Sequence, residues 1–583
     1  FDPRNGWRHV KKRTFLETSW YASVLNFTEL LPGSQKPEVA MYNKRIIGLN
    51  SFSKKLVLFL VVLGNECDAI DLSDNGIDRH SITALVRALR WPDRPETSKQ
   101  VATLILRQNA LDADTARELA KTWFPLDASE IEPDHHDCYP GKLLKDNVTS
   151  LDVSHNGDIG DSGFEMLIAG LQQFSPFRVL KADTIGLGIQ GCMAVRNLAS
   201  TNIEFLCLSN NLIGSEGACV VCKAALEFVN LHTLELNSCG IDTSAAGHCA
   251  EVVKEHAKLT HVYLNNNNLG SEGAIEFCEG AGASQCLEVV HLAYNGIFTE
   301  DASEAIGDMM KSCETLTELN LSGNHIDAPG APYLGCALEH SRVLTMRLED
   351  MGFTDMSIDD FLDHGAAETQ DLQVMNLNNN PVGDDGLAII AECLSIGLTD
   401  LSLSQCQLTS SSQATLLNLV SLSPNLRSLT LSNNDLGPTG CVDMVAWMQQ
   451  NEKQNFSLRA LELANCGLGD EGLLQLVPVL GSLTHIGVRS NGITSAGLEA
   501  VMNSQQMIQL KCFDLANNKI GEPGLHALME RFQQEHKRTL WNPKQLTSTI
   551  DQVILTGNMI TDGLAKSSEA FLKINSPLLS VVW

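Results

Sequence analysis

The stretch LHTLELNSCGIDTSAAGHCAEVV (231–253) decides the fold, because the chain repeats its pattern. The pattern returns in LTHVYLNNNNLGSEGAIEFCEGA (259–281) and in LEVVHLAYNGIFTEDASEAIGDMM (287–310), about 28 residues later each time. Related units run from near Ala69 to near Asp562. A short unit that repeats many times in tandem stacks into a solenoid, in which neighbouring units share one continuous core.

Each unit has two halves with different hydrophobic periods. Leu234 and Leu236 alternate with polar neighbours, which is the period of a strand with one buried face. In the segment 217–226, small and apolar residues recur at helical spacing. Strands that alternate with helices at one short period predict a parallel sheet, with one strand added per repeat.

One polar position recurs where the chain must bend from strand to helix, and we call it the ladder slot. A carboxamide there can both donate to and accept from the backbone of neighbouring turns, so we interpret it as structural. Cysteine replaces asparagine in three slots, and a small buried thiol suits the same place. The fourth unit (179–187) lacks a clear asparagine and the tenth (346–353) carries Met351, so both are expected to be irregular. The ladder slots are Asn75, Asn109, Asn156, Asn211, Cys239, Asn267, Asn295, Asn324, Asn380, Cys406, Asn434, Cys466, Asn491, Asn518 and Asn558.

A turn such as Gly-Ser-Glu-Gly (214–217) follows the slot in several units. Its polar residue is expected to cap the helix, and its acid to interact favourably with the first helical turn.

These residues resemble the leucine-rich repeats of the ribonuclease-inhibitor type, whose repeats are long and alternate Asn and Cys in the slot. The resemblance covers about four-fifths of the chain. It implies an α/β leucine-rich repeat solenoid (a horseshoe) with a parallel inner β-sheet, outer helices and about 17 repeats. It says little about function, because one fold serves many binding tasks.

The repeat predicts the domain organisation. Residues 1–65 do not fit it and are expected to form a basic N-terminal extension and cap. Residues 66–564 form the repeat array, with insertions near 125–147 and 533–548 that should become loops. Residues 565–583 are expected to form a C-terminal cap, because the end LLSVVW is apolar.

Charge and cysteine content narrow the class of partner. The formal net charge is −29 and the sequence pI about 4.9, which argues against nucleic-acid binding and favours a protein partner with a basic surface. The 17 cysteines form no compact framework, so we expect reduced core thiols in an intracellular, most simply cytoplasmic, protein. No apolar run reaches the roughly 20 residues that a transmembrane helix needs.

The side chains between the strand leucines predict the binding surface. They should point away from the core onto the concave face, which is polar and acidic and poor in aromatic residues. A curved, pre-formed surface binds a partner at little ordering cost. The candidate protein-binding residues are Glu235, His261, Tyr263, Asn265, His291, Glu318, Asn320, Arg347, Glu349, Asn376 and Asp400.

Three motifs suggest chemistry, but each has a simpler explanation. The cluster 134–138 (DHHDC) lies in the first insertion, and we interpret it as an acidic loop rather than a metal site. Cys219-Val-Val-Cys222 has redox spacing but occupies core positions of the repeat. The segment 186–191 contains G-x-G-x-x-G, yet it stands where other units carry their ordinary turn. The sequence therefore predicts no enzyme, no cofactor and no metal.

The favoured function is a non-catalytic interaction scaffold or subunit of a larger assembly, with a cilium among the possible settings. It would bind protein through the concave face, the rims or the terminal caps. Two alternatives stay open. One is a GTPase activator similar to the Ran-type activator, with Arg107 or Arg347 near the nucleotide. The other is a protein similar to ribonuclease inhibitor, embracing a basic enzyme.

Overall fold

A computed structural model of the chain describes residues 69–89, 102–124, 148–326, 329–363, 371–393, 397–451, 456–504, 510–541, 551–566, 568 and 580–582. This part of the chain contains eighteen strands of three residues each. It divides into two compact units, Phe1–Val290 and His291–Trp583, and the division falls within strand β8 (Val289–His291).

The first unit is a regular alternation of strands and helices. Its strands are β1 (Ala69–Asp71), β2 (Thr103–Ile105), β3 (Ser150–Asp152), β4 (Val179–Lys181), β5 (Phe205–Cys207), β6 (Thr233–Glu235) and β7 (His261–Tyr263). Each pairs in parallel with the next. Its helices are α1 (Arg79–Leu89), α2 (Ala113–Ala120), α3 (Gly160–Leu171), α4 (Ile189–Cys192), α5 (Gly214–Ala225), α6 (Ala246–Glu255) and α7 (Gly270–Gly282), with 3₁₀ turns at Val195–Ser200 and Thr243–Ala245.

The second unit continues the same alternation. Its strands are β9 (Glu318–Asn320), β10 (Thr345–Arg347), β11 (Val374–Asn376), β12 (Asp400–Ser402), β13 (Ser428–Thr430), β14 (Ala460–Glu462), β15 (His485–Gly487), β16 (Cys512–Asp514), β17 (Gln552–Ile554) and β18 (Ser580–Val582). Each again pairs in parallel with the next. Its helices are α8 (Glu300–Ser312), α9 (Ala331–Glu339), α10 (Asp355–Asp363), α11 (Gly383–Cys393), α12 (Gln413–Leu422), α13 (Val442–Gln450), α14 (Gly469–Leu476), α15 (Ser495–Met502) and α16 (Glu522–Trp541), with 3₁₀ turns at Ser410–Ser412 and Val477–Val479.

The chain is therefore an α/β leucine-rich repeat solenoid with parallel strands, as the sequence predicts. The central residue of nearly every strand is a buried aliphatic or phenylalanine side chain, such as Leu234 in β6 and Phe513 in β16. Its neighbours on either side are typically half-buried. The buried residues pack against the apolar side of the helices, as Phe277 of α7 and Leu334 of α9 illustrate.

The ladder slots behave as the sequence predicts. The Oδ1 atom of Asn380 accepts the backbone N–H groups of Met351 at 2.9 Å and Phe353 at 3.1 Å. Its Nδ2 donates to the carbonyls of Leu348 and Leu377, at 2.7 and 2.9 Å. One amide thus satisfies four buried backbone groups in two repeats. The same pattern is made by Asn109, Asn156, Asn211, Asn267, Asn324, Asn434 and Asn518.

Slots without an amide keep only part of this pattern. Cys406 Sγ still donates to the Leu377 carbonyl, at 3.2 Å. The fourth and tenth units carry the buried apolar residues Ile185 and Met351, which do not donate from the side chain at all. The fourth unit is irregular as expected, since its helix α4 has four residues and is followed by a 3₁₀ segment. The tenth keeps the nine-residue helix α10, so the expectation of irregularity is wrong there.

The residue before each slot has a left-handed backbone, which the sequence did not reveal. Examples are Asn210 with φ 55° and Asn379 with φ 59°. Asparagine adopts this conformation more readily than most residues. This position accommodates the sharp bend from strand to helix.

The expected helix cap is wrong for the Gly-Ser-Glu-Gly turn. Helix α5 begins at Gly214 and is preceded by Ile213, without a side-chain cap. Ser215 Oγ instead donates to Asp242 Oδ1 at 2.7 Å, in the next repeat. Glu216 does lie in the first turn as expected. The polar residue links adjacent helix starts because its own helix already begins one residue earlier.

Some sequence predictions fall outside the described residues. These are the N-terminal extension up to residue 65, the insertion 125–147 with its DHHDC cluster, and the last part of the insertion 533–548. Helix α16 extends into that second insertion as far as Trp541. Within the predicted C-terminal cap, residues 580–582 form the parallel strand β18. Among the described helices, none is long and apolar enough to cross a membrane.

Candidate functional site

Nearly every strand has a buried central residue, typically with half-buried residues on either side of it. We call the side of the strands on which these half-buried residues lie the strand face. Every candidate binding residue lies on it and is half-buried. Four belong to the first unit: Glu235, His261, Tyr263 and Asn265. The other seven belong to the second: His291, Glu318, Asn320, Arg347, Glu349, Asn376 and Asp400.

In the first unit the candidate residues are held by local contacts. His261 Nδ1 lies 2.7 Å from Thr260 Oγ1, and the rings of His261 and Tyr263 are tilted, with centroids 6.5 Å apart. The backbone N–H of Asn265 donates to Asn237 Oδ1 at 2.8 Å. This part of the strand face therefore presents a fixed aromatic and amide surface.

Glu235 lies against a buried thiol. Burial raises the pKa of Cys207 to about 12, and the charge of Glu235 and a hydrogen bond with it add to that effect. Cys207 therefore stays a neutral thiol beside the carboxyl group of Glu235.

In the second unit two candidate residues converge on one oxygen atom of a third. His291 Nε2 lies 2.9 Å from Glu318 Oε1, and Arg347 Nε donates to the same oxygen at 3.2 Å. Burial raises the pKa of Glu318, but the hydrogen bond from His291 and the positive charge of Arg347 outweigh it, and the pKa falls below its ordinary value. The carboxylate is therefore ionised and fixed in position.

Glu349 and Asn376 form a second pair. Glu349 Oε1 accepts from Asn379 Nδ2 at 2.8 Å, and its Oε2 accepts from Asn376 Nδ2 at 3.4 Å. Both donors are neutral amides, so the negative charge of Glu349 is oriented without being neutralised.

The two remaining candidates bond within their own repeat. Asn320 Oδ1 accepts from Ser322 N at 3.0 Å, and Asp400 Oδ2 accepts from Thr399 Oγ1 at 2.6 Å. The structure does not join them to either cluster by a side-chain hydrogen bond.

Another acidic pair on the strand face surrounds Gly487. A Cβ atom at Gly487 would lie 1.6 Å from Glu462 Oε2, so the carboxylate of Glu462 lies directly over this glycine. Burial raises the pKa of Glu462, and the neighbouring charge of Asp514 raises it further. Asp514 itself pairs with Arg489, at 3.4 Å. Glu462 and Glu318 are thus oppositely tuned carboxylates on the same unit.

Two of the three motifs that suggested chemistry, Cys219-Val-Val-Cys222 and the segment 186–191, lie in the described residues and have structural roles. Cys222 Sγ lies 3.7 Å from Cys249 Sγ, and the hydrogen bond between them, together with burial, raises the pKa of Cys222. A reactive redox cysteine needs the opposite shift. In the segment 186–191, Asp161 Oδ1 accepts from Gly188 N at 2.6 Å, so a carboxylate occupies the place where a phosphate would bind. In the described residues no group of His, Cys, Asp or Glu is arranged to hold a metal ion.

The two arginines considered for GTPase activation both have partners. Arg107 Nη2 lies 2.6 Å from His155 Nε2, and Arg347 is bonded to Glu318. An arginine that stabilises a transferred phosphoryl group must extend freely toward it.

Comparisons with known proteins agree with the repeat architecture. The family model described as Leucine Rich repeat matches residues 146–167, 255–278, 312–335, 422–445 and 454–477. Ribonuclease inhibitor of Sus scrofa is 26% identical over 428 residues, which cover 66% of this chain and 92% of the inhibitor. This chain is a leucine-rich-repeat protein of the ribonuclease-inhibitor type.

Other relatives share the repeats over a smaller part of their length. NACHT, LRR and PYD domains-containing protein 12 of Mus musculus is 27% identical over 351 residues. The matched region covers 59% of this chain and 31% of that relative. Among solved structures, the crystal structure of a TLR13–ssRNA13 complex covers 86% of this chain and 65% of that one, with 14% identity and a TM-score of 0.47.

Sequence reasoning missed one feature of the site region, which is the aromatic ring of Tyr294 near the second-unit strand face. Tyr294 occupies the left-handed position before the slot Asn295 and is 46% exposed. The signal was present in the sequence, because six other units carry asparagine at this position. A tyrosine stands out there only once the backbone conformation is known.

Proposed function

We propose that this chain is a non-catalytic protein-binding scaffold or complex subunit that recognises its partner through the strand face. The observation that carries the proposal is the fixed carboxylate of Glu318, held by His291 and Arg347, with the oriented charge of Glu349 in the same unit. Pre-oriented charges lose little side-chain entropy on binding, and they select and steer a partner of opposite charge.

The partner that fits is a protein with a basic surface. The chain carries a formal charge of −29, and the candidate strand-face residues include Glu235, Glu318, Glu349 and Asp400. The same charge disfavours nucleic acid. We further propose an intracellular, most simply cytoplasmic, setting in a larger assembly, because all the cysteines described are free thiols. No cofactor is part of the proposal.

Charge reversal on the strand face tests the proposal. The triple variant Glu235→Lys, Glu318→Lys, Glu349→Lys should lose the proteins that the wild-type chain retains from native extract, identified by mass spectrometry. The matched control Glu251→Lys, Glu304→Lys, Glu392→Lys changes the charge equally on the exposed sides of α6, α8 and α11 and should retain them. Circular dichroism should show both variants folded. An unchanged partner set in the first variant would exclude the strand face as the site.

A ribonuclease-inhibitor-like role is the second candidate. It is favoured by the coverage of 92% of the Sus scrofa inhibitor. Inhibition of a pancreatic-type ribonuclease acting on an RNA substrate tests it. Stoichiometric inhibition that disappears in the strand-face triple variant would establish this role over the scaffold. Stimulated GTP hydrolysis by a small GTPase would instead favour the activator alternative.

A further inference from the structure

Tyr294 stands in a costly backbone conformation. It follows β8 and has φ 54°. A bulky side chain is a true outlier in the left-handed region, and outliers of this kind cluster at functional sites. Most of the other described non-glycine residues in the same position are Asn, Asp, Gln or Ser, which are smaller and polar.

A glycine in the next repeat makes room for the ring. A Cβ atom at Gly323 would lie 2.1 Å from Tyr294 Cδ1 and 2.2 Å from its Cε1, so no other residue fits beneath the ring. In the repeats that the structure describes, the left-handed position before the slot is glycine only at Gly323 and Gly557. The ring therefore lies flat over Gly323 and is 46% exposed.

Two acidic residues, Glu349 and Asp350, belong to the repeat that is hydrogen-bonded to Gly323. The backbone N–H of Gly323 donates to the carbonyl of Glu349 at 2.7 Å, which places Glu349 one repeat further along. Asp350 follows it in the same left-handed position as Tyr294, with φ 55°, and is exposed. Burial raises the pKa of Tyr294, and the charges of Glu349 and Asp350 add to that effect, as expected for near neighbours.

The described residues supply no cationic partner to either carboxyl group. Glu349 accepts hydrogen bonds from the amides of Asn379 and Asn376, and in the described part of the chain neither Glu349 nor Asp350 forms an ion pair. An exposed aromatic face beside two uncompensated negative charges attracts a cation through both the ring quadrupole and Coulomb's law.

We propose that Tyr294, Glu349 and Asp350 form a subsite for an arginine side chain of the protein partner. The planar guanidinium stacks on the ring of Tyr294, and its remaining N–H groups donate to the carboxylates, which an ammonium group matches less well. Aromatic residues of this kind often dominate the energy of an interface. The subsite rests on the proposed protein-binding function for its biological role, and it specifies the chemistry that the partner presents.

A model peptide tests the subsite directly. The probe is the peptide Ac-Gly-Gly-Arg-Gly-Gly-NH2, titrated at low salt and followed by saturation-transfer NMR, with the neutral citrulline peptide as its control. The arginine peptide should bind the wild-type chain, and the citrulline peptide should bind much more weakly. Tyr294→Asn, which installs the residue common at this position, should weaken binding roughly two- to five-fold. Tyr294→Phe should keep most of it, because the ring remains.

The carboxylates have their own variant. Glu349→Gln combined with Asp350→Asn should weaken binding of the arginine peptide and reduce its dependence on salt. Equal affinity of wild type and Tyr294→Asn for the arginine peptide would overturn the proposal, and so would equal binding of the citrulline peptide.

The outcomes separate this subsite from the proposed function. If the strand-face triple variant loses the extract partners while Tyr294→Asn alters neither those partners nor peptide binding, the subsite is wrong and the function stands. If the wild-type chain retains no protein from extract while peptide binding depends on Tyr294, the proposed function is wrong and the subsite stands.

Discussion

The buried ladder and the strand face hold their polar side chains in different ways. In the ladder, the amide of Asn380 bonds only to backbone groups, and four of these belong to the regular repeat. On the strand face, Glu318 is held by the side chains of His291 and Arg347. Bonds to the backbone recur wherever the repeat recurs, whereas bonds between side chains are particular to one place. The ladder therefore encodes the fold, and the strand face is free to encode recognition.

The largest expected effect comes from breaking the ladder. Asn380→Ala leaves buried N–H groups of Met351 and Phe353 and the carbonyls of Leu348 and Leu377 without their partner. We expect a loss of about 4 kcal/mol in the free energy of unfolding, because each unsatisfied buried group costs roughly 1–3 kcal/mol. Chemical denaturation followed by circular dichroism measures it.

The control for this variant lies on the strand face of the same repeat. Asn376→Ala removes an amide whose Nδ2 donates to Glu349 at 3.4 Å and whose Oδ1 accepts from Asn378 N. It should cost less than about 1 kcal/mol, because water can replace its bonds. Equal losses in the two variants would contradict the distinction between ladder and strand face.

A smaller effect is expected where the ladder turn meets the exposed ring. Gly323→Ala places a methyl group 2.1 Å from Tyr294 Cδ1, at a residue with φ +69°. The control Gly492→Ala adds the same methyl group at a residue with φ +72°, where no other atom lies within 4 Å. Both variants carry left-handed strain of roughly 1–2 kcal/mol, and Gly323→Ala should lose about 1 kcal/mol more. The extra loss should vanish when Tyr294→Asn is added, which a double-mutant cycle by chemical denaturation measures. A loss that persists in the double variant would show that the ring does not rest on Gly323.

The smallest expected effects are on the free energy of unfolding, and they have opposite signs for two carboxylates of the strand face. The pKa of Glu318 is lowered, so its contribution to stability is present above its ordinary pKa and is lost as the pH falls through the folded-state value. Burial raises the pKa of Glu462, so its ionised form destabilises the fold as the pH rises from the ordinary pKa through the folded-state value. At pH 7, Glu318→Gln should lower stability by about 1 kcal/mol, and Glu462→Gln should leave it equal or raise it by less than that.

The pH dependence of thermal unfolding checks both signs. The difference between each variant and the wild type should shrink at acid pH, where the wild-type carboxyl groups are protonated as well. A stabilising effect of Glu318→Gln at pH 7 would show that His291 and Arg347 do not offset the burial of this carboxylate.

The fold was predictable from the sequence because the residues that each repeat needs for its structure recur in many repeats. The buried leucines, the slot amides and the parallel strand order all follow from that repetition. The start of α5 was not predictable, because the serine of Gly-Ser-Glu-Gly (214–217) resembles an N-cap residue, whereas the helix already begins at Gly214. The candidate residues lie on the strand face as the sequence predicts, but the side chains that they bond to were not predictable. His291 and Arg347 lie 27 and 29 residues from Glu318, so the repeat predicts that the three positions are near neighbours. It does not predict which side chains occupy those positions or that two of them bond to one oxygen.

The ladder also constrains how such a chain can change in length during evolution. Each slot amide bonds only to its own repeat and to the one before it, as Asn434 bonds to the repeat of Cys406. Duplication or deletion of one whole unit of about 28 residues therefore leaves every amide with a complete set of partners. A duplication that cut a unit in half would leave a slot amide in the core without its hydrogen-bond partners. Addition of a whole unit therefore preserves the ladder, and it copies the scaffold while leaving its outward residues free to diverge.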